Sequence, residues 1–161
     1  MAAVSDSSPL ISYSAIGRLD LLQALFTELI VPPAVWREVV TDSDDKPGAR
    51  DVLQAGWIVR RSLPQQRLPR SIAALDPGDA EAIALASSMQ PSMEILLDDY
   101  RARQVARTLG LNVVGSGGAL LLAKDAGLIA AVRPMLFALR AAGLYLGNRA
   151  LRELLALAGE S

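Results

Sequence analysis

Asp6, Asp98 and Asp99 each close a short apolar run, Ala2-Ala3-Val4-Ser5 in the first case and Ile95-Leu96-Leu97 in the second. Taken singly, such an acid is an ordinary turn or cap residue. Three of them at the ends of strands in one parallel sheet would meet at one edge, where carboxylates repel unless a cation joins them or one keeps its proton. Hard divalent cations such as Mg²⁺ and Mn²⁺ prefer oxygen ligands, so this pattern points to metal-assisted hydrolysis. The sequence contains no cysteine and no histidine. That excludes disulfides, thiolate zinc sites, cysteine nucleophiles and an imidazole base, and leaves carboxylates, hydroxyls, Lys, Arg and Tyr to carry any chemistry.

Two further acids can reach the same edge from helices. Glu38 lies in the first turns of one helix, and Asp79 and Glu81 lie near the start of another. Residues two apart on a helix point to nearly opposite faces, so only one of Asp79 and Glu81 can face the site. A capping role at the third helical position accounts for Asp79. Glu81 is therefore the preferred ligand and Asp79 the alternative. Arg101 and Arg103, just beyond the acid pair, are candidates for gripping phosphates.

The elements that must position these groups alternate between strand and helix. Ala2 to Ser5 reads as a strand, followed by a helix with Ser8 as its cap, Pro9 at its first position, and Leu10, Ile11, Ile16, Leu19 and Leu22 at helical spacing. Leu29-Ile30-Val31 is a second strand, and Pro32-Pro33 opens a helix whose buried stripe is Val35, Trp36, Val39 and Val40. A polar loop, Asp42 to Gly48, leads to a helix over Ala49 to Ala55 and a strand near Trp57 to Val59. Asp76 and Pro77 start the helix through Ser88. Glu94 to Leu97 is a strand, Tyr100 to Leu109 a helix stopped by Gly110, and Asn112 to Val114 the last strand, with Gly115 to Gly118 as a turn before a helix over Ala119 to Asp125. Two helices, about Ile129 to Ala142 and Asn148 to Ala158, complete the chain. This order predicts a three-layer α/β fold, a central parallel sheet of about five strands flanked by helices, with working groups beyond the carboxyl ends of the strands. One domain over residues 1–161 is expected, with a C-terminal helical extension at about 129–158.

At 161 residues and 52 % hydrophobic, the chain can bury one core without staples. Its apolar stretches are far shorter than the roughly 20 residues a membrane helix needs. Met1 to Pro9 has no basic segment and does not read as a secretory signal, so the expected location is the cytoplasm. The net charge of −1 conceals segregation. Asp42, Asp44, Asp45 and Asp51 form an acidic stretch, whereas Arg101, Arg103, Arg107, Lys124, Arg133, Arg140, Arg149 and Arg152 face only Asp125 across their span. An anionic partner can dock on such a surface, although solvated helix faces give the same composition. The glycines at 115, 117 and 118 lack the spacing of a dinucleotide or phosphate loop.

Five ordered stretches carry a resemblance: Val4-Ser-Asp-Ser-Ser-Pro-Leu-Ile11, Pro33-Ala-Val-Trp-Arg-Glu-Val-Val40, Leu75-Asp-Pro-Gly-Asp-Ala-Glu-Ala-Ile-Ala-Leu-Ala86, Leu96-Leu-Asp-Asp-Tyr-Arg-Ala-Arg103 and Val114-Gly-Ser-Gly-Gly118. Over nearly its whole length the sequence resembles the PIN-like branch known as the DUF3368 family. The resemblance implies a Mg²⁺- or Mn²⁺-dependent ribonuclease, of the kind found as VapC-like toxins of type II toxin-antitoxin pairs. It implies Asp6, Glu38, Glu81 and Asp99 as catalytic metal ligands, with Asp98 as an auxiliary acid and Ser8 and Ser116 as hydroxyls lining the site. Gly78-Asp79-Ala80-Glu81 stands where relatives often have Gly-Glu-Ala-Glu, and the double Asp98-Asp99 leaves the fourth ligand open by one position.

The expected activity is hydrolysis of RNA phosphodiesters by an endoribonuclease, with RNA as substrate and a small antitoxin protein and a second copy of the chain as partners. Leu21, Leu22, Leu25, Phe26 and Trp36 lie on the early helices; most should be core, yet in related toxins these helices commonly form dimer and antitoxin surfaces. Two other readings compete: a non-catalytic PIN-like module that binds RNA or protein, and a metal-dependent phosphatase on another α/β fold.

Overall fold

Strands with consecutive apolar residues, such as Ala3-Val4, Leu29-Ile30-Val31 and Ile95-Leu96, belong between two covered faces, and the computed structural model places these there. It describes residues 1–43, 47–65, 67–89 and 93–161, so Asp44 and Asp45 of the acidic stretch lie outside the described residues. Strands β1 (Ala2–Ser5), β2 (Glu28–Val31), β3 (Ile58–Arg60), β4 (Glu94–Leu96) and β5 (Asn112–Val114) form one sheet in the order β3-β2-β1-β4-β5. Every pairing is parallel, and Val4 of the central strand is in register with Ile30 on one side and Ile95 on the other.

Alternation along the strands divides the core into two layers. Ala3, Leu29, Val31 and Leu96 pack into one cluster with Leu10, Tyr13, Leu22 and Phe26, while Val4, Ile30 and Ile95 pack into the other with Ile83, Leu97, Ala102 and Ala106. The first layer is built from helices α1 (Ser7–Ala15), α2 (Leu19–Leu25), α8 (Ser116–Asp125), α9 (Arg133–Ala141) and α10 (Asn148–Leu157); the second is built from α6 (Pro77–Met89) and α7 (Tyr100–Thr108). The expected three-layer α/β architecture is therefore observed. Helices α3 (Pro33–Trp36), α4 (Ala49–Gln54) and α5 (Arg70–Ala73) complete the set, and α3 runs straight into a π-helical turn, Arg37–Thr41.

Three local expectations are corrected. The first helix breaks at Gly17, whose φ of +68° is open to glycine at no cost, and Gly17 and Arg18 donate back to the carbonyls of Ser14 and Tyr13. Ser116, Gly117 and Gly118 are not a turn but the opening of α8. Gly117 is required there by contact, since a Cβ would stand 2.6 Å from Leu154 Cδ1. Helix α9 begins at Arg133 rather than near Ile129, because Glu160 accepts from the backbone N–H groups of Val132 and Arg133 and fixes the helix start. Among the described residues no helix is long and apolar enough to cross a membrane.

Candidate metal centre

The end of β1 delivers Asp6 to the carboxyl edge of the sheet. Its backbone N–H donates to the Leu96 carbonyl at 3.0 Å, so the chain is still tied to β4 as it leaves the strand. Asp6, not Ser8, precedes α1 as the capping residue, yet its extended backbone (φ −78°, ψ 176°) makes no side-chain cap. The carboxyl group, in a residue only 8 % exposed, is thereby turned to other partners.

Its partner is Asp79. The two side chains share a hydrogen bond, and Asp79 is buried in turn at 6 % exposure. Burial pushes the Asp6 carboxyl well above the usual carboxylate range; the bond to Asp79 and the charges of Asp79 and Glu38 add to the rise, against a lowering by the Ser7 N–H. Burial also raises Asp79, with the charges of Asp99, Asp76 and Glu38 contributing while the bond to Asp6 opposes. A proton shared by the pair, with Asp6 as donor, is the consistent description.

Glu38 joins this pair through the π turn. Its Oε2 accepts from Ser7 Oγ at 2.9 Å. Gly78 leaves the space between them: a Cβ there would stand 3.0 Å from Asp6 Oδ1 and 3.2 Å from Glu38 Oε2. Two carboxylate oxygens thus approach one point on the α6 backbone. Ser7 was not among the residues singled out from sequence, because its role rests on a contact with Glu38 that no local pattern encodes.

Glu81 does not join them. Its Oε1 accepts from the Ala34 N–H at 3.0 Å, satisfying one of the open donors of α3, and its Oε2 lies 4.0 Å from Arg37 Nη2. Of the two acids left open on α6, Asp79 is the one that lies against Asp6, while Glu81 is held on α3.

The two acids after β4 have different surroundings. Asp98 accepts three hydrogen bonds, from Ser8 Oγ at 2.8 Å, the Ser116 N–H at 2.7 Å and Ser116 Oγ at 2.7 Å. It locks α1 to α8. Tyr13 supports this lock by donating to the Ser116 carbonyl at 2.8 Å, and burial, with the charge of Asp98, pushes its phenol far up. Asp99 is exposed and caps α7 by accepting from the Ala102 N–H at 2.9 Å, while its charge reaches Asp79. Arg101 is exposed. Arg103 lies against Gly115 and Asp98, its Nε buried without an acceptor, and burial and Arg107 lower its pKa. It borders a cavity of about 610 Å³ that Asp98 also lines.

The donor set of Asp6, Asp79 and Glu38, with Asp99 nearby, consists wholly of carboxylate oxygens, which suits Mg²⁺ or Mn²⁺ and no soft metal. Among the described residues no three acids are drawn tightly enough to form a closed metal cage. The shared proton and the space at Gly78 nevertheless fit a site where a cation replaces that proton.

Leu21, Leu22 and Phe26 are core residues, at 2 % exposure or less, as expected for most of this group; Leu25 is partly buried, and Trp36 is half-buried beneath Arg60.

Comparison with known proteins agrees with this architecture. A family model described as PIN domain, DUF3368, matches residues 2–160. Among solved structures, a PilT N-terminus domain protein from the hyperthermophilic archaeon Sulfolobus solfataricus P2 is similar, with a TM-score of 0.53 and 13 % identity over 92 % of this chain and 98 % of that one. That likeness concerns the fold. No curated protein gives a significant match.

Proposed function

The chain belongs to the DUF3368 family of PIN domains, whose members are generally nucleases, and from that premise we propose that it is a divalent-metal-dependent endoribonuclease and the toxin of a type II toxin-antitoxin pair. The observation that carries the nuclease reading is the buried Asp6–Asp79 pair with Glu38 beside it, at the carboxyl edge of a parallel sheet. Acids held this close are unstable as anions on their own and gain most from a cation.

Asp6, Asp79 and Glu38 would hold Mg²⁺ or Mn²⁺, with Asp99 as a further ligand once freed from its capping bond. The bound metal would supply water activation and stabilisation of the leaving oxygen. Ser7 orients Glu38, and Asp98 with Ser8 and Ser116 keeps α1 and α8 in place around the site. Arg103 borders the cavity that Asp98 lines, where its guanidinium can meet a substrate phosphate.

The test is cleavage of single-stranded RNA. Wild-type protein in Mn²⁺ should yield defined products, EDTA should suppress them, and Asp6→Asn and Asp79→Asn should each abolish them with the fold retained. Equal rates in these variants would sink the assignment. The toxin role is tested by induction in a bacterial host: growth arrest should need Asp6 and be relieved by co-expression of a short neighbouring reading frame. The proposed homodimer predicts a light-scattering mass of two chains at micromolar concentration.

A second reading has its own support. Asp99 is spent on a helix cap and no closed three-acid cage exists among the described residues, which favours a PIN-like module that binds without cutting. Such a module would bind RNA yet give no metal-dependent product.

A further inference from the structure

We propose that Trp36, Arg37, Arg60 and Arg61 form an RNA-anchoring subsite, in which the arginines take backbone phosphates and the Trp36 indole backs the Arg60 fork and walls the groove. This inference rests on reading the carboxylate site as one that acts on RNA. The pocket measures about 530 Å³ and is also lined by Thr41 and Ser62. Its described lining residues thus bring three guanidinium groups, two hydroxyls and an indole, and no carboxylate.

Its position follows from the sheet. Strand β3 ends at Arg60, and the Arg61 N–H donates to the Val31 carbonyl at 3.0 Å, so both arginines leave at the carboxyl edge from which Asp6 emerges. Arg37 precedes Glu38 within the same π turn, a distortion that often marks functional positions. The pocket therefore borders the carboxylate site without sharing its acids.

The side chains are also prepared for an anion. The Arg60 guanidinium lies 4.5 Å from the centroid of the Trp36 ring, a cation–π pairing that holds the fork flat. Arg37 is 57 % exposed and reaches Glu81 only at 4.0 Å. Arg61 Nη1 contacts Met89 Sδ at 3.8 Å, a weak acceptor that a phosphate oxygen outcompetes. Beyond the pocket, Arg61 and Ser62 line a second depression of about 390 Å³. The two depressions join over these residues, a form suited to an extended single strand. Arginines with an aromatic face are the means by which proteins hold single strands with little sequence preference.

The test measures binding of fluorescein-labelled single-stranded oligouridylate by anisotropy, in EDTA, so that it is independent of cleavage. Arg60→Ala/Arg61→Ala should weaken binding roughly tenfold or more and make the slope of log K against log salt shallower by about 1.4. Arg60→Lys/Arg61→Lys should restore the salt slope and only part of the affinity, since Lys keeps the charge and loses the planar fork. In a Trp57→Phe background, Trp36 fluorescence should fall as RNA is added. Unchanged affinity in the alanine pair, with circular dichroism showing both proteins folded, would overturn the proposal. So would tighter binding of polyglutamate than of RNA, which would assign the pocket to an acidic protein. Failure of cleavage in Mn²⁺ alongside intact, arginine-dependent binding would overturn the nuclease reading alone.

Discussion

Asp6 at the end of β1 and Asp79 in the first turn of α6 meet side chain to side chain, joined by a hydrogen bond between two buried carboxyl groups. Their partnership separates the roles of Asp79 and Glu81. Asp79→Asn should abolish Mn²⁺-dependent RNA cleavage, whereas Glu81→Ala should leave cleavage in place and cost about 1 kcal/mol of stability through the lost bond to the Ala34 N–H. Paired rate measurements and urea melts check this, and the opposite pattern would restore Glu81 as the ligand.

The same pair sets a pH dependence. Both carboxyls are raised in the folded state, so the folded protein binds more protons than the unfolded chain above the ordinary value of 3.8. The metal-free protein should therefore lose stability as pH climbs from about 4 through the raised values. Asp6→Asn should flatten this loss and raise the melting temperature at pH 7 in EDTA. Mn²⁺ should act in the other direction, binding more tightly as pH rises because it displaces the shared proton. Thermal melts from pH 4 to pH 8, with and without Mn²⁺, test both signs.

Asp98 acts through its hydroxyl partners. Ser116→Ala removes one of three short bonds and Ser8→Ala another, and each should lower cleavage roughly 10-fold, as expected for support of a metal site rather than ligation. Asp98→Asn should cost more stability than either, because all three bonds end on its carboxylate and a neutral amide loses their charge assistance. Chemical melts alongside the rates distinguish support of the site from loss of the fold.

Glu160 closes the far end of the molecule. The N–H groups of Val132 and Arg133 and the Lys124 ammonium, 3.0 Å from Oε2, pull its carboxyl down to about 2. A depressed carboxyl contributes stability above its unfolded value of 4.5 that is lost as pH falls toward 2. Glu160→Gln should remove that acid-labile part, and hydrogen exchange should show the start of α9 opening first. Exchange unchanged in the variant would refute the role.

The separate elements were legible in sequence because each depends on local pattern. Continuous apolar runs gave the five strands, Gly110 at φ +79° stopped α7 as expected, and Pro32-Pro33 opened α3. The glycines of Gly115 to Gly118 misled, since a helix start with Gly117 packed under Leu154 looks like a turn when its neighbour is unknown. Trp36, read as part of a buried stripe, is half-buried, and only the tertiary structure brings Arg60 from β3 over its ring.

What the sequence alone determined is the kind of chemistry: no histidine or cysteine, and acids at the strand ends of a parallel sheet. Which acids meet was decided only by tertiary structure. Asp79 and Glu81 sit on one helix with similar intrinsic properties, and the rotation of α6 against β1 and α3 directs one to Asp6 and the other to the Ala34 N–H. Such a rotation is fixed by packing between elements distant in sequence, where a small turn of a helix exchanges one face for the other.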